Sequence, residues 1–106
     1  MGITVDIVAN RSIVKVDGEM TIFQAADLKS ELLLCLGQNN LREVEFDLSQ
    51  VTEIDTSGVQ LMLMLKHEAQ KAEKTLAFTH HSQVVLDVID ILNLGGTLGD
   101  PLLLAA

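Results

Sequence analysis

The stretch Glu53-Ile-Asp-Thr-Ser-Gly-Val-Gln-Leu61 holds the residues best suited to chemistry: a serine at the start of an apolar helical pattern, with a carboxylate two positions upstream. Ser57 could be a nucleophile, a helix cap or an acceptor of a group transferred by another protein. A nucleophilic serine needs a base within hydrogen-bond reach, and the histidines are His67, His80 and His81. His67 lies further along the same helix, about 15 Å from Ser57 at 1.5 Å per residue, which is too far. His80 and His81 end the next expected strand and share an edge of the sheet with the start of the Ser57 helix, so distance alone does not remove them. The sequence around Ser57 nevertheless lacks the G-x-S-x-G elbow, and no glycine loop supplies an oxyanion site. Neighbouring strand residues point to opposite faces, so His80 and His81 are expected as solvated strand-end residues rather than a metal pair. No phosphate-binding loop, dinucleotide fingerprint or calcium loop is present. The expectation is a protein with no catalytic residues, no metal and no cofactor.

As a cap, Ser57 followed by Gln60 fits the S-x-x-Q box, worth about 0.5–2 kcal/mol. The helix beyond it has more apolar residues than one buried stripe requires. Leu61, Met62, Leu65, Ala69 and Ala72 fall within an arc of about 100°, with Val59 and Leu63 on one side of it and Met64 on the other. Either neighbouring elements flank this helix, or it presents a partner-binding patch beside Ser57 in which methionine makes adaptable contacts. A helix N-terminus also accommodates phosphate, whose charge of about −1.5 to −2 would sit beside Asp55 and act on whatever docks there.

The elements that must position this stretch follow from periodicity. Ile3, Val5 and Ile7 alternate with polar residues, Ser12 to Val16 forms a second strand, and Asp17-Gly18 is expected to close that hairpin. Thr21 with Gln24 predicts a capped helix over 22–36 ending at Gly37. Val44, Phe46 and Leu48 alternate with Glu45 and Asp47 in a strand covered on one side. Helices over about 58–73 and from Ser82 through Leu92 bracket the strand Thr75 to His80. The expected fold is α/β, with a mixed, mainly parallel sheet, helices packed chiefly on one face, and the order β-β-α-β-α-β-α. The segment after Asn93 is glycine-rich and then apolar.

With 106 residues, 48% of them hydrophobic, the chain suffices for one domain core. A net charge of −8 with seven scattered Lys and Arg argues against nucleic acid as a partner. No apolar run approaches the roughly 20 residues of a membrane span, and the N-terminus does not read as a signal peptide, so a cytoplasmic protein without direct membrane insertion is expected. Cys35 stands among leucines and is expected as a buried, inert thiol.

These residues, "VEFDLSQVTEIDTSGVQLM" with "GEMTIFQAADLK" and "HSQVVLDVIDILNL", resemble the STAS domain family of anti-sigma-factor antagonists. The resemblance spans about residues 3 to 95 and implies a single STAS domain over 1–106, with 96–106 as an extension. It implies a non-enzymatic module in which Ser57 is phosphorylated by a partner serine kinase that is also the anti-sigma factor, and reset by a serine/threonine phosphatase. Asp55, Thr56, Ser57, Gly58, Val59, Met62 and Leu63 would then form the partner-binding surface, with Gly58 permitting close backbone approach. Thr21 stands where many switch antagonists carry a carboxylate. The family also includes small proteins of chemotaxis and signalling clusters and subunits of phospholipid-transport ATPases, for which Ser57 would only cap a helix in a constitutive docking subunit.

Overall fold

The computed structural model describes residues 2–37 and 41–91; the expected role of Leu92 and of the C-terminal extension lies outside them. The elements run β1 (Gly2–Val8), β2 (Arg11–Met20), α1 (Ala25–Gly37), β3 (Glu43–Ile54), α2 (Thr56–Lys71), β4 (Thr75–Thr79) and α3 (Gln83–Ile91), in the expected order. The sheet order is β1-β2-β3-β4. β1 is antiparallel to β2, whereas β2–β3 and β3–β4 are parallel.

Pleating explains where the core lies. Val14 and Val16 of β2, Val44, Phe46 and Leu48 of β3, and Leu76 and Phe78 of β4 are buried, and they share one cluster with Leu28 and Leu32 of α1, Met62 and Leu65 of α2, and Val85 and Ile89 of α3. Phe46 and Phe78 meet edge to face at 5.7 Å between centroids, a favoured aromatic geometry. On β3 the intervening side chains are polar: Glu45 accepts a hydrogen bond from Thr79 Oγ1 at 2.8 Å and pairs with Arg11 at 3.5 Å.

The hairpin turns on Ala9 and Asn10, both at positive φ (51° and 64°), between the paired Val8 and Arg11. Two left-handed residues match the twist of the strands, although only Asn10 is suited to that conformation.

Several local expectations are corrected. Asp17-Gly18 does not close β2, which continues to Met20 because parallel pairing with β3 continues as far as Ile54; Gly18, at φ 113°, serves a register irregularity within the strand. Helix α1 begins at Ala25, since residues 21–24 form a turn in which Gln24 N–H donates to the Thr21 carbonyl at 2.9 Å. The Thr21 hydroxyl is buried without a hydrogen bond and caps nothing. Gly37 is the last helical residue, not a left-handed cap. At α3 the Ser82 carbonyl accepts from Leu86 N–H at 3.0 Å, but its hydroxyl has no partner. His81 is fully buried instead of solvated, because the chain leaves β4 through His80 at φ 52° and the next side chain turns inward.

Candidate functional site

The site lies where the C-terminal ends of β2 and β3 meet the start of α2. Asp55, not Ser57, is the N-cap of α2: it is extended (φ −124°, ψ −171°), and its Oδ1 accepts from Gly58 N–H at 3.2 Å. Its carbonyl accepts from Val59 N–H at 3.1 Å. A carboxylate is a stronger acceptor than a hydroxyl and also favours the positive helix end, which explains why the cap falls two residues before the expected one. The second oxygen, Oδ2, accepts from Ile22 N–H at 2.9 Å, and Asp55 N–H donates to the Met20 carbonyl at 3.3 Å. One side chain thus fastens the β2–α1 turn to the N-terminus of α2.

Thr56 and Ser57 consequently occupy the first and second helical positions. Thr56 is exposed and Ser57 half-buried. Among the described residues the Ser57 hydroxyl neither caps the helix nor accepts a hydrogen bond. It lines an open groove of about 350 Å³ between α1 and α2, together with Ala25, Ala26, Lys29, Gln60, Leu61 and Met64. Lys29 brings the groove a cation.

The expected partner surface is divided by burial. Val59 is 2% exposed and Met62 fully buried, so both belong to the core and cannot meet a partner directly. Leu63 is half-buried and packs against the same core. The extra apolar residues of α2 therefore reflect neighbours on its flanks. Gly58 does permit a close approach, but within the chain: a Cβ there would collide with the Met20 carbonyl oxygen and stand 2.8 Å from Ile54 Cγ1. Side-chain absence at residue 58 lets α2 start directly against the end of β2.

The surface that is accessible includes residues the periodicity did not single out. Ile22 and Phe23 project from the turn held by Asp55, 66% and 88% exposed. The signal that could have found them was two adjacent large apolar residues at the very start of the expected helix. Beside them, Glu19 and Glu53 are paired across β2 and β3. A hydrogen bond between these carboxyl groups, and then the charge of Glu19, raise the pKa of Glu53 above its ordinary value. The rim is acidic, in keeping with the charge of the chain.

Elsewhere Cys35 is buried, and desolvation followed by the charge of Glu31 raises its pKa, which keeps the thiol protonated. Among the described residues no His, Cys, Asp and Glu cluster could hold a metal, and no helix is long and apolar enough to cross a membrane.

Comparison with known proteins agrees with this architecture. The family described as "Mlab, STAS domain" matches residues 3–104. No curated protein matches. Among solved structures, an anti-sigma factor antagonist from Mycobacterium paratuberculosis superimposes with a TM-score of 0.81 at 19% identity, over 96% of this chain and 86% of that one. The Bacillus cell fate determinant SpoIIAA in its phosphorylated form gives a TM-score of 0.65 at 16% identity, over 95% and 92% of the two chains. A sulfate transporter family protein from Wolinella succinogenes gives 0.71 at 16% identity, over 89% and 75%. At such identities the structural likenesses show the fold, that of the anti-sigma factor antagonists, while the match along nearly the whole sequence shows the family: this chain belongs to the STAS domain family.

Proposed function

We propose that this protein is a non-enzymatic regulatory binding module of the anti-sigma-factor antagonist kind, switched by phosphorylation of Ser57. The observation that carries this reading is the division of labour between Asp55 and Ser57. Asp55 takes over the cap, so the serine hydroxyl has no structural duty and opens onto a groove. A phosphate can be added there without breaking a bond of the fold, and at a helix N-terminus its charge is tolerated. Its effect falls on the partner.

The partner in this reading is a kinase-fold regulator that is both serine kinase and anti-sigma factor, with a serine/threonine phosphatase as the resetting enzyme, all in the cytoplasm. Thr56, Ser57, Ile22 and Phe23 form the contact surface, and Asp55 and Gly58 position it. Transcription would then respond to the balance of kinase and phosphatase. The test is intact-mass and peptide mapping of the protein from its native cells, with partner affinity compared for Ser57→Ala and Ser57→Asp. Phosphate on the Ser57 peptide and weakened binding by Ser57→Asp are expected; equal affinity of both variants, with no phosphate under several growth conditions, overturns the switch.

The exposure of Phe23 favours a second reading, a constitutive docking subunit of a chemotaxis or signalling cluster or of a phospholipid-transport ATPase. So bare an aromatic suits a permanent interface. In that case Ser57→Asp binds as the unmodified chain does.

A further inference from the structure

We propose that Lys29 of α1 is the built-in counter-ion of a phosphorylated Ser57, so that modification latches α1 to the start of α2 and closes the groove between them. This rests on the reading of Ser57 as the phosphoacceptor and concerns how the chain itself receives the group. Ser57 and Lys29 line the same groove, about 350 Å³ in volume, one from each helix. A water molecule takes about 30 Å³ of liquid, so a phosphoryl group enters this space without forcing the helices apart. The remaining lining, Ala25, Ala26, Gln60, Leu61 and Met64, carries no charge, which makes Lys29 the cation of the groove.

The helix end alone is a poor host for the phosphate. Asp55 is tied there by accepting from Gly58 N–H at 3.2 Å and from Ile22 N–H at 2.9 Å, so its negative charge stays beside the modified serine. That charge opposes a phosphate of about −1.5 to −2 and offsets what the helix dipole offers. Compensation has to come from across the groove. Lys29 is exposed, and the residues three and four positions away on α1 are Ala25, Ala26, Leu32 and Leu33, so no carboxylate of its own helix competes at that spacing. Three other cations are already engaged: Arg11 pairs with Glu45 at 3.5 Å, Lys71 with Glu68 at 3.6 Å, and Lys66 donates to the Leu76 carbonyl at 2.6 Å. An ammonium on a flexible stem meets a phosphate as a point charge, so the pair forms as soon as the group is added.

The test uses the full chain carrying phosphoserine at position 57, installed during synthesis, so that neither a kinase nor a partner enters the measurement. Phosphorus NMR follows the second ionisation of the phosphate in the unaltered chain, in Lys29→Gln and in Lys29→Arg. In Lys29→Gln the phosphate pKa should rise by about half a unit, roughly a threefold gain in proton affinity, whereas Lys29→Arg should keep the unaltered value. The difference should shrink in about 1 M salt, where the Debye length falls to about 3 Å. The ammonium nitrogen signal of Lys29 in the unaltered chain should also shift on phosphorylation, and it decides the matter if a variant fails to fold. Identical titration of the unaltered chain and Lys29→Gln, or an ammonium signal indifferent to the phosphate, overturns the latch and leaves the switch at Ser57 to its own test. An absence of phosphate in native cells overturns the switch and does not alter the titration difference.

Discussion

The carboxylate of Asp55 bridges two backbones: Oδ2 accepts from Ile22 N–H at 2.9 Å, and Oδ1 caps α2 through Gly58 N–H at 3.2 Å. Residues far apart in sequence are joined at the point where the modifiable serine enters its helix. Asp55→Ala should therefore cost about 1–2 kcal/mol, the loss of a cap and of a second charge-assisted bond, read from the urea midpoint. Ser57→Ala should cost less than about 0.5 kcal/mol, because its hydroxyl holds nothing. The reverse order of the two costs would return the cap to Ser57.

Gly58→Ala should destabilise by about 1–3 kcal/mol, despite alanine's better helix propensity. Its new methyl meets the Met20 carbonyl oxygen, which cannot move aside without disturbing the end of β2. Equilibrium unfolding measures this directly, and a stabilised variant would contradict the packing described.

Two phenylalanines should behave in opposite ways. Phe23→Ser removes an exposed ring and should leave stability within about 0.5 kcal/mol, whereas Phe46→Ala opens the core beneath β3 and should cost about 3–5 kcal/mol. Thermal or urea unfolding of both variants checks the contrast, and conservation of stability in Phe23→Ser makes that variant a clean probe of partner binding.

The paired carboxyls Glu19 and Glu53 give a pH dependence with a definite sign. Glu53 has a raised pKa in the folded state, so the folded protein holds its proton more tightly than the unfolded chain does. The contribution to stability is full below the unfolded carboxyl value of 4.5 and is lost as pH rises through the higher folded value. In Glu19→Gln that loss should be reduced, as seen in unfolding midpoints taken across the acidic range. A steeper loss in the variant would refute the coupling.

Local pattern was informative where local physics decides. Alternation in Val44, Phe46 and Leu48 identified a half-covered strand, and the DTSG stretch marked the strand-to-helix junction. The capping pattern misled at Ser57 and Thr21, hydroxyl residues each followed three positions later by glutamine; Ser82 does stand at the N-cap position of α3, but its hydroxyl has no partner. A capping box is a pattern within one segment and takes no account of acceptors that other parts of the chain bring to the helix end. At α2 the better acceptor was Asp55, and Ile22, which shares that acceptor, comes from another part of the chain. Likewise the apolar surplus at Val59, Leu63 and Met64 could be read as a docking patch or as core until neighbouring elements were in place.

By itself the sequence determined the element order, the parallel character of the sheet and the position of the candidate serine, because periodicity and chain connectivity are local properties. Tertiary structure decided which oxygen caps α2, which apolar residues face outward and why residue 58 is glycine. Those depend on approaches between β2, α1 and α2, whose residues are brought together only when the strands pair.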